Sequence, residues 1–147
     1  MSNTDFSTTI EVSQSAAAVY SAVNNVRGWW QGEIEGNTDQ LNDEFSYRMK
    51  TVHYSKQAIV ELIPNEKVVW QVTDSLLSFT QNKSEWTGTK ISFEISEHDE
   101  RTQLRFTHHG LIATLECYGG CSNGWQRLIQ ESLFSLITTG EGTNVFG

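Results

Sequence analysis

The sequence predicts an α+β domain in which a curved antiparallel sheet wraps one long C-terminal helix, with two short helices after the first strand. Three observations carry this. Period-2 alternation recurs between residues 6 and 108. Apolar residues at helical spacing are confined to short stretches after the first strand and one long stretch at the end. The strands between them follow one another through short turns, which makes a meander whose apolar face has only the last helix to cover it.

Each element has its own signal. Phe6, Thr8, Ile10 and Val12 alternate with Ser7, Thr9 and Glu11, giving the first strand. Ser13 and Ser15 are N-cap residues, and Ala16, Val19, Tyr20 and Val23 follow at i, i+3, i+4 and i+7, a short helix that Asn24 and Asn25 end. Residues 27–32 form a further helical turn, whose adjacent Trp29 and Trp30 stand about 100° apart and should face different ways. Phe45, Tyr47 and Met49 alternate with Glu44, Ser46, Arg48 and Lys50, and residues 54–63 join 66–73 through a Pro64-Asn65 turn. Residues 74–88 lack periodicity yet hold Leu76, Leu77, Phe79 and Trp86, so they read as a loop or edge strand that covers something. Thr89, Ile91, Phe93 and Ile95 pair with Thr102, Leu104, Phe106 and His108 across a polar turn at 97–100. Trp125, Leu128, Ile129, Ser132, Leu133, Leu136 and Ile137 form the stripe of the final helix, started near Ser122 or Asn123 and stopped by Gly140.

Composition narrows the function. The 147 residues fit a single domain, 1–147, large enough to fold without disulfide or metal. Eighteen acidic against ten basic residues give a net charge of −8, which argues against nucleic acid and anionic membrane surfaces as partners. The N-terminus lacks the basic start and apolar run of a signal peptide, and no stretch reaches the ~20 apolar residues of a membrane span. A cytoplasmic protein is expected, its two cysteines read as thiols.

The stretch 106–125 concentrates the candidate chemistry, with His108, His109, Cys117 and Cys121. His108 shares the parity of Leu104 and Phe106 and should point inward, while His109 points outward, so one strand cannot offer both imidazoles to one ion. Cys117 and Cys121 flank Gly119-Gly120, which should interrupt a helix, and one short Cys spacing does not supply the converging ligands zinc needs. No metal and no cofactor are expected; a Cys117–Cys121 disulfide is the alternative if that turn folds tightly. Inward, His108 is either an acid–base or ligand-anchoring group, or a core histidine satisfied by a neighbouring hydroxyl or carbonyl. Glu116 and Glu131 could approach the cavity mouth as a carboxylate pair, although nothing in their spacing requires it.

The aromatic residues say most. Parity sends Phe45, Tyr47, Phe93 and Phe106 to one interior, joined by Trp30 (or Trp29 in its place), Trp70, Phe79, Trp86 and Trp125. With Ile129 from the helix and sparse polar anchors at Tyr47, Tyr54, His108 and Tyr118, these describe the wall of an apolar pocket. The competing readings are a core that the rings fill outright, and an exposed patch for a partner protein with Phe79 and Trp86 as its anchors.

Several motifs add a resemblance. Trp29-Trp30 after the first helix, SEWTGT at 84–89, THHGL at 107–111, Glu116-Cys117 with Cys121 four on, and GW opening a helix whose Ser132-Leu133 leads to TTGEG at 138–142 occur in this order. Together they resemble the group of homologues of the activator of the heat-shock chaperone ATPase, in the START-like (SRPBCC) helix-grip superfamily. The resemblance covers essentially the whole chain. It implies the helix-grip fold, a cavity between sheet and last helix, and one of three activities. The leading expectation is binding of an apolar or aromatic small molecule. The alternatives are a co-chaperone-type module that docks a chaperone or a second copy of itself, and a cyclase-like or hydrolase-like enzyme using His108. Members that act on the chaperone resemble a protein with a further N-terminal domain, for which 147 residues leave no room.

Overall fold

The structure, a computed structural model of the chain, describes residues 5–30, 32–49, 53–77, 86–112, 115 and 118–143. Strand β1 (Phe6–Val12) is followed by helices α1 (Ala16–Asn24) and α2 (Val26–Trp29). Strands β2 (Glu33–Gly36), β3 (Glu44–Met49), β4 (His53–Ile63), β5 (Lys67–Leu77), β6 (Lys90–His98) and β7 (Arg101–His109) come next. The chain ends in one continuous helical rod made of α3 (Tyr118–Arg127), a π-helical segment (Leu128–Leu133) and α4 (Phe134–Thr139). The seven strands form one antiparallel sheet in the order β1-β7-β6-β5-β4-β3-β2, so β1 returns to pair with β7 and only β1 and β2 lie at its edges.

Local chemistry explains most boundaries. The Ser15 side chain accepts from the Ala18 amide at the start of α1, and Asn25 caps its end. Asp99 and Glu100, with φ of 48° and 67°, make the two-residue turn between β6 and β7. Gly140, at φ 90°, ends the final helix in the left-handed conformation. Inside the rod the Phe134 amide donates to Ile129, the wider spacing of a π turn. Within that turn the Ser132 hydroxyl donates to the Trp29 carbonyl at 2.8 Å and accepts from the Thr143 amide at 3.2 Å. A buried serine thus fastens the rod to α2 and to the tail.

Four sequence expectations are corrected. The last helix starts at Tyr118 and not at Ser122, with Gly119 and Gly120 in its exposed first turn; amides there need no intrahelical partner, and the packing of Trp125, Leu128 and Ile129 outweighs the glycine entropy. Residues 74–77 belong to β5, where Ser75 and Leu77 pair with Ser55 and His53. Trp29 and Trp30 do face the same interior, because α2 ends at Trp29 and Trp30 turns to extended backbone, which swings its ring back beside its neighbour. Tyr54 faces away from the core and lies under the Arg48 guanidinium, 4.8 Å from its ring centre. The edge strand β2, too short for a periodic signal, was not anticipated.

Candidate functional site

The inner face of the sheet and the helical rod enclose a cluster of aromatic rings. All five tryptophans are buried, none more than 3 % exposed. Trp30 stacks on Tyr47 with ring centres 4.0 Å apart and lies parallel to Trp70 at 5.9 Å. Trp86 stacks with Trp125 at 5.6 Å. Phe45 and Phe93 meet Trp70 edge-on at 5.0 and 4.9 Å, and Phe106 leans on Trp125 at 4.7 Å. Such pairs contribute about 0.5–1.5 kcal/mol each beyond area burial, so the cluster is a large part of the core's cohesion. The rings touch one another; a guest entering among them must move at least one.

Two indole N–H groups in this cluster have no partner among the described residues, those of Trp70 and Trp86. The others are satisfied: Trp29 Nε1 donates to the Val23 carbonyl at 3.2 Å and Trp125 Nε1 to His108 Nδ1 at 3.0 Å, and Trp30 hydrogen-bonds the Tyr47 side chain. An unmet buried donor costs about 1–3 kcal/mol, which selection for stability alone would remove.

His108 is fully buried, and its hydrogen bonds fix its state. An indole can only donate, so Nδ1 is the bare nitrogen and Nε2 carries the proton. Nε2 lies 2.8 Å from Thr89 Oγ1, which donates in turn to the Trp86 carbonyl at 2.6 Å. Gly110, at φ 102°, lets the chain leave β7 so close to Thr89 that a β-carbon there would strike its methyl group. Burial lowers the His108 pKa to about 3, with smaller contributions from His109 and His53. The imidazole is therefore neutral, and its lone pair is already taken. Its two hydrogen bonds join rod, β7 and the Trp86 turn.

The polar side of the interior lies on β4. His53, Ser55 and Gln57 share the inward parity, while Tyr54, Lys56 and Ala58 face out. Gln57 Nε2 donates to Ser55 Oγ at 2.6 Å, and Ser55 Oγ lies 3.3 Å from His53 Nε2. Ser55 and Gln57 are fully buried, and Gln57 Oε1 has no partner among the described residues. His53 meets Trp86 edge-on at 4.5 Å and Tyr47 at 5.2 Å; burial lowers its pKa to about 4 and raises that of the Tyr47 phenol. Ser75 Oγ lies 2.9 Å from Thr87 Oγ1, tying β5 to the turn that carries Trp86.

Of the residues singled out from the sequence, the structure brings Trp30, Phe45, Tyr47, Trp70, Trp86, Phe93, Phe106, His108, Trp125 and Ile129 into this interior, with Tyr118 half-buried at its margin. Trp86 is no exposed anchor for a partner, being 3 % exposed. Phe79, Glu116 and Cys117 lie outside the described residues; Cys121 is a buried thiol, and Glu131 is an exposed partner of Arg127 at 3.5 Å. His109 faces outward between Asp5 and Ser92. Among the described residues no three histidine, cysteine or acidic side chains gather as a metal site, and no helix is long and apolar enough to cross a membrane. Sequence reasoning missed His53, Ser55, Gln57 and Ser75, and it sent only one of Trp29 and Trp30 inward. The alternation on β4 was a signal, but hydropathy favours the opposite face, with Tyr54, Ala58 and Val60.

Comparison with known proteins supports the fold and gives a family. The model of the family described as Activator of Hsp90 ATPase homolog 1-like protein matches residues 15–138. No curated protein matches the chain. Among solved structures, the Aha1 dimer from Colwellia psychrerythraea is similar at 24 % identity and a TM-score of 0.75, over 95 % of this chain and 99 % of that one. Protein SSP2350 from Staphylococcus saprophyticus is similar at 14 % identity and a TM-score of 0.68, over 96 % of both chains. DynU16, a protein in the dynemicin biosynthetic locus, has a TM-score of 0.67 at 12 % identity over 94 % of this chain and 48 % of its own.

Proposed function

The chain belongs to the Activator of Hsp90 ATPase homolog 1-like family, and on that premise we propose that it is a cytoplasmic binding domain for a small apolar or aromatic molecule, held between the sheet and the helical rod. The observation that carries this reading is the pair of unpartnered indole N–H groups, Trp70 and Trp86, inside a wall of rings. Flat surfaces with sparse unmet donors are what an aromatic guest with a polar substituent requires. Trp86 is the ring that yields. It sits on a turn and not on a strand or helix, and Thr87 and Thr89 hold that turn by hydroxyl contacts.

The test is native mass spectrometry of the purified chain together with a thermal-shift screen of flavonoids, polyketide-like compounds and lipids. A ligand at 100-fold its Kd should stabilise the fold by about 2.7 kcal/mol, raise Tm and change tryptophan fluorescence. Phe106→Ala and Trp125→Ala should abolish that rise while weakening the fold itself by roughly 3–5 kcal/mol. A screen without a hit and a protein without a co-purified mass would overturn the proposal.

A second reading is favoured by the match in length to the Colwellia Aha1 dimer. In it the chain pairs with a second copy or docks on an Hsp90-type chaperone. Sedimentation velocity and the chaperone's ATPase rate at excess chain decide it; a monomer that leaves the rate unchanged removes it.

A further inference from the structure

We infer that the guest of this domain is an uncharged ring molecule bearing a hydrogen-bond donor such as a hydroxyl, and that Gln57 is the residue that selects it. This rests on the small-molecule reading above and adds to it the ligand's charge and anchoring group.

The first argument is the orphaned end of Gln57. Its side chain is fully buried on the inner face of β4, its amide nitrogen is committed to Ser55 at 2.6 Å, and its oxygen has no partner among the described residues. A carboxamide oxygen only accepts, so the group it lacks is a donor. Cross-strand neighbours of Gln57 are Phe45 on β3 and Val72 on β5, neither of which offers one from its side chain. The orphan is not a surface residue that water serves, nor is it rescued by the adjoining network, since Ser55 already meets both Gln57 and His53.

The second argument is charge. Among the described residues no lysine or arginine side chain is buried in this interior. The titratable side chains described in it are His53, His108, Tyr47 and the Cys121 thiol, and burial holds both imidazoles unprotonated and the phenol protonated at neutral pH. A carboxylate guest would enter an apolar, ring-lined space with no counter-charge, whereas a hydroxyl brings only a dipole and meets the Gln57 oxygen. The unmet indole donor of Trp70 remains for the acceptor side of the same guest.

A bicyclic probe has the footprint of the indole it must displace, so 2-naphthol, 2-methoxynaphthalene and 2-naphthoate separate the possibilities. Calorimetric titration of the full chain at neutral pH should rank 2-naphthol about tenfold tighter than 2-methoxynaphthalene, a difference of about 1.4 kcal/mol, with 2-naphthoate weakest. Gln57→Met, close in size and without the amide oxygen, should erase the advantage of the hydroxyl and leave 2-methoxynaphthalene unchanged. Binding of 2-naphthoate as tight as 2-naphthol, equal binding of the two neutral probes, or an equal loss of both in Gln57→Met overturns the inference while sparing the small-molecule reading. No binding by any of the three overturns this inference and counts against the small-molecule reading, which the wider screen then decides. The ranking in the unaltered chain needs no variant, so it decides the matter even if Gln57→Met fails to fold.

Discussion

Acid should destabilise this protein through His108. Its pKa in the fold is about 3 against an ordinary value of 6.5, so the unfolded chain takes up a proton that the native state refuses. A folded-state pKa below the unfolded one means that the contribution is complete above pH 6.5 and is lost as pH falls toward 3. Two units of acidification from 6.5 remove on the order of 2 kcal/mol. Burial of the ring is the main cause, and the geometry acts in the same sense, since a proton on Nδ1 would face the Trp125 indole N–H, which now donates to it at 3.0 Å. His53 acts in the same direction between 6.5 and about 4, and being only half-buried it adds less. Urea unfolding of the native chain and of His108→Asn at several pH values through this window measures the effect. Carboxylates titrate alike in both, so the difference in slope isolates one imidazole. Coincident slopes, or an NMR titration in which the His108 ring protonates near neutrality, would refute the neutral-imidazole assignment.

Other substitutions probe the same framework. Trp125→Phe keeps a ring but leaves His108 Nδ1 without its donor, and should cost about 1–3 kcal/mol in urea unfolding. In Ser132→Ala the Trp29 carbonyl and Thr143 amide lose their shared partner, with a similar loss and faster proteolysis of the tail after Gly140. Gly142→Ala should destabilise by about 1–3 kcal/mol, because the new β-carbon would meet the Gly28 carbonyl, which cannot yield as a side chain can. Gly119→Ala and Gly120→Ala face open space in the first helical turn and should instead raise Tm, by up to about 1 kcal/mol of stability each.

Local chemistry written in the sequence determined the architecture. Alternation at Phe45 and Tyr47, at Ile91 to Ile95 and at Leu104 to His108 identified strands and their inner faces, and the spacing from Trp125 to Ile137 identified the helix that covers them. These signals are legible because each depends on residues two to four positions apart along one element. The composition of the interior was legible too, since nearly every ring assigned to it from parity is there. Tertiary structure alone decided what those rings do. Whether they line a void or touch depends on how far rod and sheet approach, a distance that no periodicity encodes. The inward face of β4 is the plainest case: hydropathy alone would bury Tyr54, Ala58 and Val60. Register against Phe45 and Tyr47 instead buries Ser55 and Gln57. The cross-strand ladder fixes which parity turns inward, and its pairing energy belongs to residues far apart in the chain. The orphaned Gln57 oxygen, the neutral His108 and the unmet indoles all follow from that long-range choice.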